Sequence, residues 1–70
     1  MNTNINFTKI KELRRSWGFS RSDMAKVLRL SIWTYRDKEQ GKRNFTIKDL
    51  TILSKIFKVK IDDLLIKEEE

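Results

Sequence analysis

Apolar side chains recur every three or four residues along most of the chain, which is the spacing that places them on one face of an α-helix. No stretch alternates apolar and polar residues as a half-buried strand does, and the 70 residues include no proline. The pattern predicts a compact all-α domain of five helices. We expect a single domain over residues 1–70, with a core over about 6–66 and a frayed acidic tail over 67–70.

Capping residues and glycines mark the limits of the first helix. We expect it to begin after Asn6 and to stop at Gly18, because glycine readily takes the left-handed conformation at a helix end. Its inner face would carry Phe7, Ile10, Leu13 and Trp17. Trp17 and the following Phe19 are both assigned to the core.

Two short helices should follow, separated by a turn. Ser20 caps the second helix in a variant of the capping box with Asp23, and this helix is expected to end near Arg29. Ser31 caps a third helix that runs to about Gln40, with Gly41 as its stop. The apolar residues expected between and inside these two helices are Met24, Ala25, Leu28, Leu30 and Tyr35.

The last third of the chain predicts a fourth and a fifth helix. Thr46 caps the fourth helix, with Asp49 three residues on. Its inner face would carry Ile47, Leu50, Leu53 and Phe57, with Ile52 and Ile56 in a second stripe. The fifth helix should run from Ile61 to about Ile66, with acidic residues in its first turn, where the helix dipole favours them.

The charge distribution adds the first functional clue. The net charge is +6, but residues 1–60 hold 15 basic and 5 acidic residues, whereas residues 61–70 hold 1 and 5. A basic body of this kind suggests a polyanionic partner, although a merely solvated basic surface is an equally simple explanation.

Several functional classes are disfavoured. The chain has no cysteine and no histidine, which removes disulfides, Cys/His metal sites and the common nucleophile–base pairs. Gly18 and Gly41 are the only glycines, too few for a glycine-rich phosphate loop. We therefore expect no enzyme activity, cofactor, metal or small-molecule ligand. With no apolar run of membrane-spanning length, we expect no membrane association and a cytoplasmic location.

Three segments together resemble the lambda-repressor-like (Xre/Cro) helix-turn-helix family. They are SRSDMAKVL at residues 20–28, SIWTY at 31–35 and EQGKRN at 39–44, and a fourth similarity runs from Leu50 and Leu53 to VKIDDLL at 59–65. The match covers about residues 9–65. It implies that the second and third predicted helices form the helix-turn-helix.

The chain departs from the family pattern at four positions. Arg29 stands where a turn glycine is usual, so the turn must either tolerate a side chain or accept strain. Arg21 replaces a glutamine at the start of the second helix. Lys38 occupies a position that is normally apolar and packed, and Phe45 replaces a proline.

The resemblance implies roles for the recognition helix, 31–40. Its base-facing residues would be Ile32, Trp33, Arg36 and Asp37, while Tyr35 points inward. Arg36 suits guanine and Asp37 suits a cytosine amino group, whereas Ile32 and Trp33 can contact only thymine methyls or sugars. Two alternatives stay open: Trp33 packs on protein, and Asp37 pairs with a nearby surface cation.

The same resemblance implies phosphate contacts and one structural ion pair. The phosphate-binding residues would be Arg21, Thr34, Gln40, Lys42, Arg43 and Asn44, each of which is otherwise idle surface. Arg14 on the first helix should form a partly buried ion pair with Glu39 that ties the recognition helix to the scaffold.

These features favour a sequence-specific transcriptional regulator of double-stranded DNA, which would be associated with the nucleoid. We expect a small repressor of the phage or mobile-element type, acting as a Cro-like homodimer on two half-sites about 34 Å apart. The fifth helix, through Leu65 and Ile66, would supply part of the dimer contact. The alternative is a protein-interaction module or an antitoxin on the same fold, with weak or no DNA binding, because Ile32 and Trp33 are apolar and Asp37 and Glu39 are acidic.

Overall fold

The computed structural model describes residues 4–66. Within that range the chain forms four α-helices, and their bounds are α1 Phe7–Ser16, α2 Arg21–Leu28, α3 Ile32–Glu39 and α4 Ile47–Phe57. A single 3₁₀ turn, Ile61–Leu64, follows them. The all-α prediction is confirmed, and the predicted acidic tail lies outside the described residues.

The prediction of a fifth α-helix is wrong. The 3₁₀ turn ends at Leu64. The next residue, Leu65, has an extended backbone (φ −111°, ψ 151°) and forms an isolated antiparallel bridge with Ile5. The Asn6 N–H donates to the Leu64 carbonyl at 2.9 Å, and the Ile66 N–H donates to the Asn4 carbonyl at 2.8 Å. The chain after residue 64 hydrogen-bonds to the N-terminal segment, so it cannot continue as a helix. Ile5, one residue before the expected core, is buried.

The predicted helix starts are confirmed by their caps. The side-chain oxygen of each N-cap accepts a hydrogen bond from the backbone N–H three residues on, and these caps are Asn6, Ser20, Ser31 and Thr46. In α2 and α4 the carboxylate of Asp23 or Asp49 also accepts from the cap's own N–H. Each reciprocal pair satisfies two backbone donors that a helix end leaves free.

The core lies where the four α-helices and the 3₁₀ turn meet. Its buried apolar residues are Ile5, Ile10, Met24, Ala25, Leu28, Tyr35, Phe45, Leu50, Leu53, Phe57 and Leu64. Phe45, which stands in place of the family's proline, packs between Phe7 and Tyr35, with 6.1 Å from its ring centroid to each. An aromatic ring therefore fills part of the core at this position.

Two residues assigned to the core are exposed instead. Trp17 is 44% exposed because it follows the last helical residue of α1, where it stacks on the half-buried Phe19 with the Lys58 ammonium 5.9 Å from its ring centroid. Ile47, the first residue of α4, is 73% exposed. The inner face of that helix begins only at Leu50.

The turn between α2 and α3 forms without a glycine. Arg29 takes the left-handed conformation (φ 57°, ψ 44°), and the Leu30 N–H donates to the Ala25 carbonyl at 2.8 Å. Ala25 is itself buried, which lets the two helices cross closely. Of the two alternatives for Arg29, the structure adopts the strained one, since a left-handed residue with a Cβ costs about 1–2 kcal/mol.

No helix within residues 4–66 combines the length and the apolar character that crossing a membrane requires.

Replacing Arg29 by glycine should raise the free energy of unfolding by about 0.5–1 kcal/mol, because glycine adopts the left-handed conformation without steric cost but loses more chain entropy on folding. Urea denaturation measures the change. The matched control is Lys26→Gly inside α2, which should lower stability by about 1 kcal/mol. A stability loss in Arg29→Gly would contradict the assignment of strain.

Candidate nucleic-acid interface

Glu39, the last residue of α3, connects three helices through its carboxylate. Arg14 of α1 donates from Nε to Oε2 at 2.7 Å and from Nη2 to Oε1 at 3.2 Å. Arg21 of α2 donates from Nε to Oε1 at 3.2 Å, and the Tyr35 hydroxyl of α3 donates to Oε2 at 2.7 Å. The Glu39 and Arg14 side chains are only 2% and 8% exposed. This ion pair and its partners hold the C-terminal end of α3 against α1 and α2.

The protonation behaviour of this cluster follows from the same contacts. Burial raises the pKa of Glu39, but hydrogen bonds from Arg14 and Tyr35 outweigh that effect and place it below its ordinary value of 4.5. The hydrogen bond to Glu39 raises the pKa of Arg14. Burial, followed by the hydrogen bond to Glu39, raises the pKa of Tyr35. At neutral pH Glu39 is therefore a carboxylate, Arg14 a guanidinium and Tyr35 a neutral phenol.

A second buried ion pair fixes the other side of α3. Lys38 and Asp49 are both buried, and the Lys38 ammonium donates to the Asp49 carboxylate. That carboxylate also accepts from the Thr46 N–H, so α3 and the first turn of α4 are linked. Burial raises the pKa of Asp49, yet the hydrogen bonds from Lys38 and Thr46 leave it lowered. The lysine at a normally apolar position is thus matched by an acidic partner.

These two anchors determine which face of α3 meets the solvent. Tyr35, Lys38 and Glu39 are buried on one side of α3, so the residues on its other side point outward. Ile32 is 43% exposed and Trp33 is 69% exposed. Within residues 4–66, Trp33 packs into no core position, and with Ile32 it forms an exposed apolar pair on the first turn of α3.

Charged residues continue this exposed face. Arg36 is exposed one turn after the apolar pair. Asp37 is half-buried and lies 3.7 Å from the Arg43 Nε, an ion pair whose side chains are 39% and 63% exposed. Asp37 therefore has the surface partner that the sequence left open as an alternative to a base contact.

A groove separates α3 from the beginning of α2. It is lined by residues of α1, of the first turn of α2 with its cap, and of the exposed face of α3: Arg14, Ser20, Arg21, Ser22, Ile32, Trp33 and Arg36. Its lining combines two apolar side chains of α3 with two serine and three arginine side chains. The groove brings four of the predicted DNA-binding residues together.

The predicted phosphate-binding residues differ in their exposure and in their hydrogen bonds within the protein. Arg21 is 40% exposed although its Nε is bonded to Glu39, and the half-buried Thr34 accepts a hydrogen bond from the Ser31 hydroxyl. The exposed phosphate-binding candidates all lie at the end of α3 and in the loop after it, and they are Gln40, Lys42, Arg43 and Asn44.

Three features of this site were not anticipated from the sequence. Ser22 lines the groove, Lys38 has a buried carboxylate partner, and Glu39 takes a second arginine, Arg21. The lysine at an apolar position was a signal, because a buried ammonium requires a counter-charge and Asp49 was the acidic residue of the next helix start. Within residues 4–66, no three acidic side chains gather where they could hold a metal ion.

Comparison with known proteins identifies the architecture. The helix-turn-helix family model matches residues 10–64. A solved structure, the restriction-modification controller protein C.AhdI from Aeromonas hydrophila, superposes with a TM-score of 0.73 at 23% identity, over 86% of this chain and 92% of the other. At that identity the likeness establishes the fold. No curated protein matches this sequence.

Replacing Glu39 by glutamine should lower the free energy of unfolding by about 3 kcal/mol, because the buried Arg14 charge loses its counter-charge. The double variant Arg14→Met with Glu39→Gln should be more stable than Glu39→Gln alone, since no unpaired buried charge remains. Urea denaturation compares them. The control is Arg43→Ala, which removes an exposed ion pair and should cost less than about 1 kcal/mol. Equal losses in Glu39→Gln and Arg43→Ala would contradict the anchoring role.

Stability should fall in acid. A carboxyl whose pKa is lowered in the folded state stabilises the fold above its unfolded pKa and ceases to do so as pH falls through the folded value. For Glu39 and Asp49 the loss therefore begins near their ordinary values of 4.5 and 3.8 and continues below them. Unfolding free energies measured from pH 7 to pH 2 test this. The Glu39→Gln variant should show a shallower decline, and a decline as steep as the parent's would exclude Glu39 as a source.

Proposed function

This chain belongs to the lambda-repressor-like helix-turn-helix family of DNA-binding transcription regulators, and we propose that it is a sequence-specific repressor that reads the major groove with α3. One observation carries the proposal. One face of α3, which carries Ile32, Trp33 and Arg36, is exposed. Glu39 and Lys38 hold the same helix to α1, α2 and α4. A rigidly held helix with a free outer face is what base readout requires.

Each side chain on that face has a proposed role. Arg36 donates to guanine O6 and N7, the most frequent specific contact in the major groove. Asp37 accepts from a cytosine amino group or, through its ion pair, orients Arg43 toward the backbone. Ile32 and Trp33 make the apolar contacts. The residues proposed to bind phosphate are Arg21, Thr34, Gln40, Lys42, Arg43 and Asn44.

A homodimer is part of this proposal. One α3 reads only a few base pairs, so two copies on half-sites about 34 Å apart would supply adequate specificity. One similar solved structure is that of a restriction-modification controller protein. Control of a small mobile genetic element, such as a phage or a restriction-modification system, is a role of that kind.

The second candidate is a protein-interaction module or an antitoxin on the same fold. The observation that favours it is the 69% exposure of Trp33, an apolar side chain that a protein partner could cover. The basic residues near the exposed face of α3 favour DNA over a protein partner. They all have exposed side-chain surface, and they are Arg21, Arg36, Lys42 and Arg43.

Selection of bound duplexes from a random DNA pool tests the proposal, followed by titrations at several salt concentrations. Arg36→Ala should weaken binding to the selected duplex by about tenfold or more and relax the preference at one guanine. Lys42→Ala should weaken all duplexes alike and reduce the slope of log affinity against log salt by about 0.9.

Lys55→Ala is the matched control, because it removes the same charge from the exposed side of α4 and should leave the slope unchanged. Binding that prefers no duplex over bulk DNA at physiological salt would overturn the repressor role. The interaction-module candidate gains support only if a protein partner then protects Trp33.

A further inference from the structure

The exposed apolar pair on α3, Ile32 and Trp33, is the least expected feature of the DNA-facing surface. A pair of apolar side chains exposed at 43% and 69% contributes little to folding of the monomer. Both lie on the first turn of α3, the part of a recognition helix that enters the major groove most deeply. They are therefore placed to meet bases rather than phosphates.

The chemistry of the pair limits what it can recognise there. Isoleucine offers no hydrogen bond, and the indole offers one donor and no acceptor. The apolar group on the floor of the major groove is the methyl at C5 of a pyrimidine, which thymine carries and cytosine lacks. Polar base edges left against these side chains would lose their hydrogen bonds to water.

The charges around the pair select the same partner. Arg21 and Arg36 line the groove that Ile32 and Trp33 share, and Lys42 and Arg43 are exposed beyond the other end of α3. An apolar strip with cationic groups beside it is complementary to a methyl-bearing groove floor between two phosphate backbones.

We propose that Ile32 and Trp33 make this protein a reader of pyrimidine C5 methyl groups, so that its affinity depends on the methyl itself, whether thymine or 5-methylcytosine carries it. The inference rests on the proposed function. It adds a regulatory property: cytosine C5 methylation within the half-site raises occupancy by the protein.

The test uses the full chain and the duplex selected from the random pool. Each thymine of the half-site is replaced in turn by deoxyuridine, which removes only the methyl and keeps the pairing. At one or two positions the wild-type affinity should fall by about fourfold, the effect of one buried methyl-sized group. Placing a C·G pair at such a position and then methylating that cytosine should restore about the same factor.

The variants Ile32→Ala and Trp33→Ala assign the effect to these side chains. Both residues are exposed, so the fold should persist, which circular dichroism checks. In the double variant the deoxyuridine and thymine duplexes should bind equally. Val27→Ala is the matched control. Val27 is an apolar residue that is 45% exposed, but it lies on α2 and lines a different groove, with Phe19 and Ile56. This variant should keep the full methyl dependence.

Two failures are distinguishable. Selective binding of one duplex with no loss on any deoxyuridine substitution would overturn methyl reading and leave the repressor role intact. The same conclusion follows if the double variant keeps the methyl dependence. Absence of any preferred duplex would overturn the proposed function itself.

Discussion

The buried carboxylate of Glu39 is the interaction on which the geometry of this domain depends. Alone, a carboxylate so deeply buried would be strongly disfavoured, and it is tolerated because two arginines and a phenol donate to it. Those donors come from α1, α2 and α3 itself, so the charge is satisfied only when the three helices are correctly arranged. A nonpolar contact would permit sliding between helices, whereas these directional bonds specify one position.

That arrangement gives the two sides of the short helix α3 different roles: one side attaches the helix to the domain, and the other faces the solvent. α3 has eight residues, of which Tyr35, Lys38 and Glu39 are turned inward by hydrogen bonds or ion pairs. Ile32, Trp33 and Arg36 consequently point outward together. Tyr35 is the one aromatic or aliphatic side chain of α3 that is fully buried, so the attachment of the helix depends on paired charges as well as on this ring. Buried ion pairs add little net stability, but they fix the orientation of the helices, which a DNA-binding domain requires.

Most of the fold was predictable because its determinants are local. The start of each helix can be predicted from its N-cap, because the cap's hydrogen bond to the first turn involves only residues close in sequence. These N-caps are Asn6, Ser20, Ser31 and Thr46. The errors arose where long-range contacts decide. Leu65 has helical spacing but pairs with Ile5, sixty residues away, and Trp17 has the right periodicity but falls just beyond the end of α1. The base-facing set came from family resemblance, and hydropathy alone would have placed Trp33 inside.

Contact between the outer face of α3 and the bases, as proposed, can be measured directly through the two tryptophans. Their indole N–H groups give separate resonances in a ¹⁵N-labelled sample, one from Trp33 on α3 and one from Trp17 beside Phe19. On titration with a bound duplex, the Trp33 resonance and the amides of Ile32 and Arg36 should shift strongly while the Trp17 resonance stays. Movement of the Trp17 resonance with an unperturbed Trp33 would contradict the proposed contact.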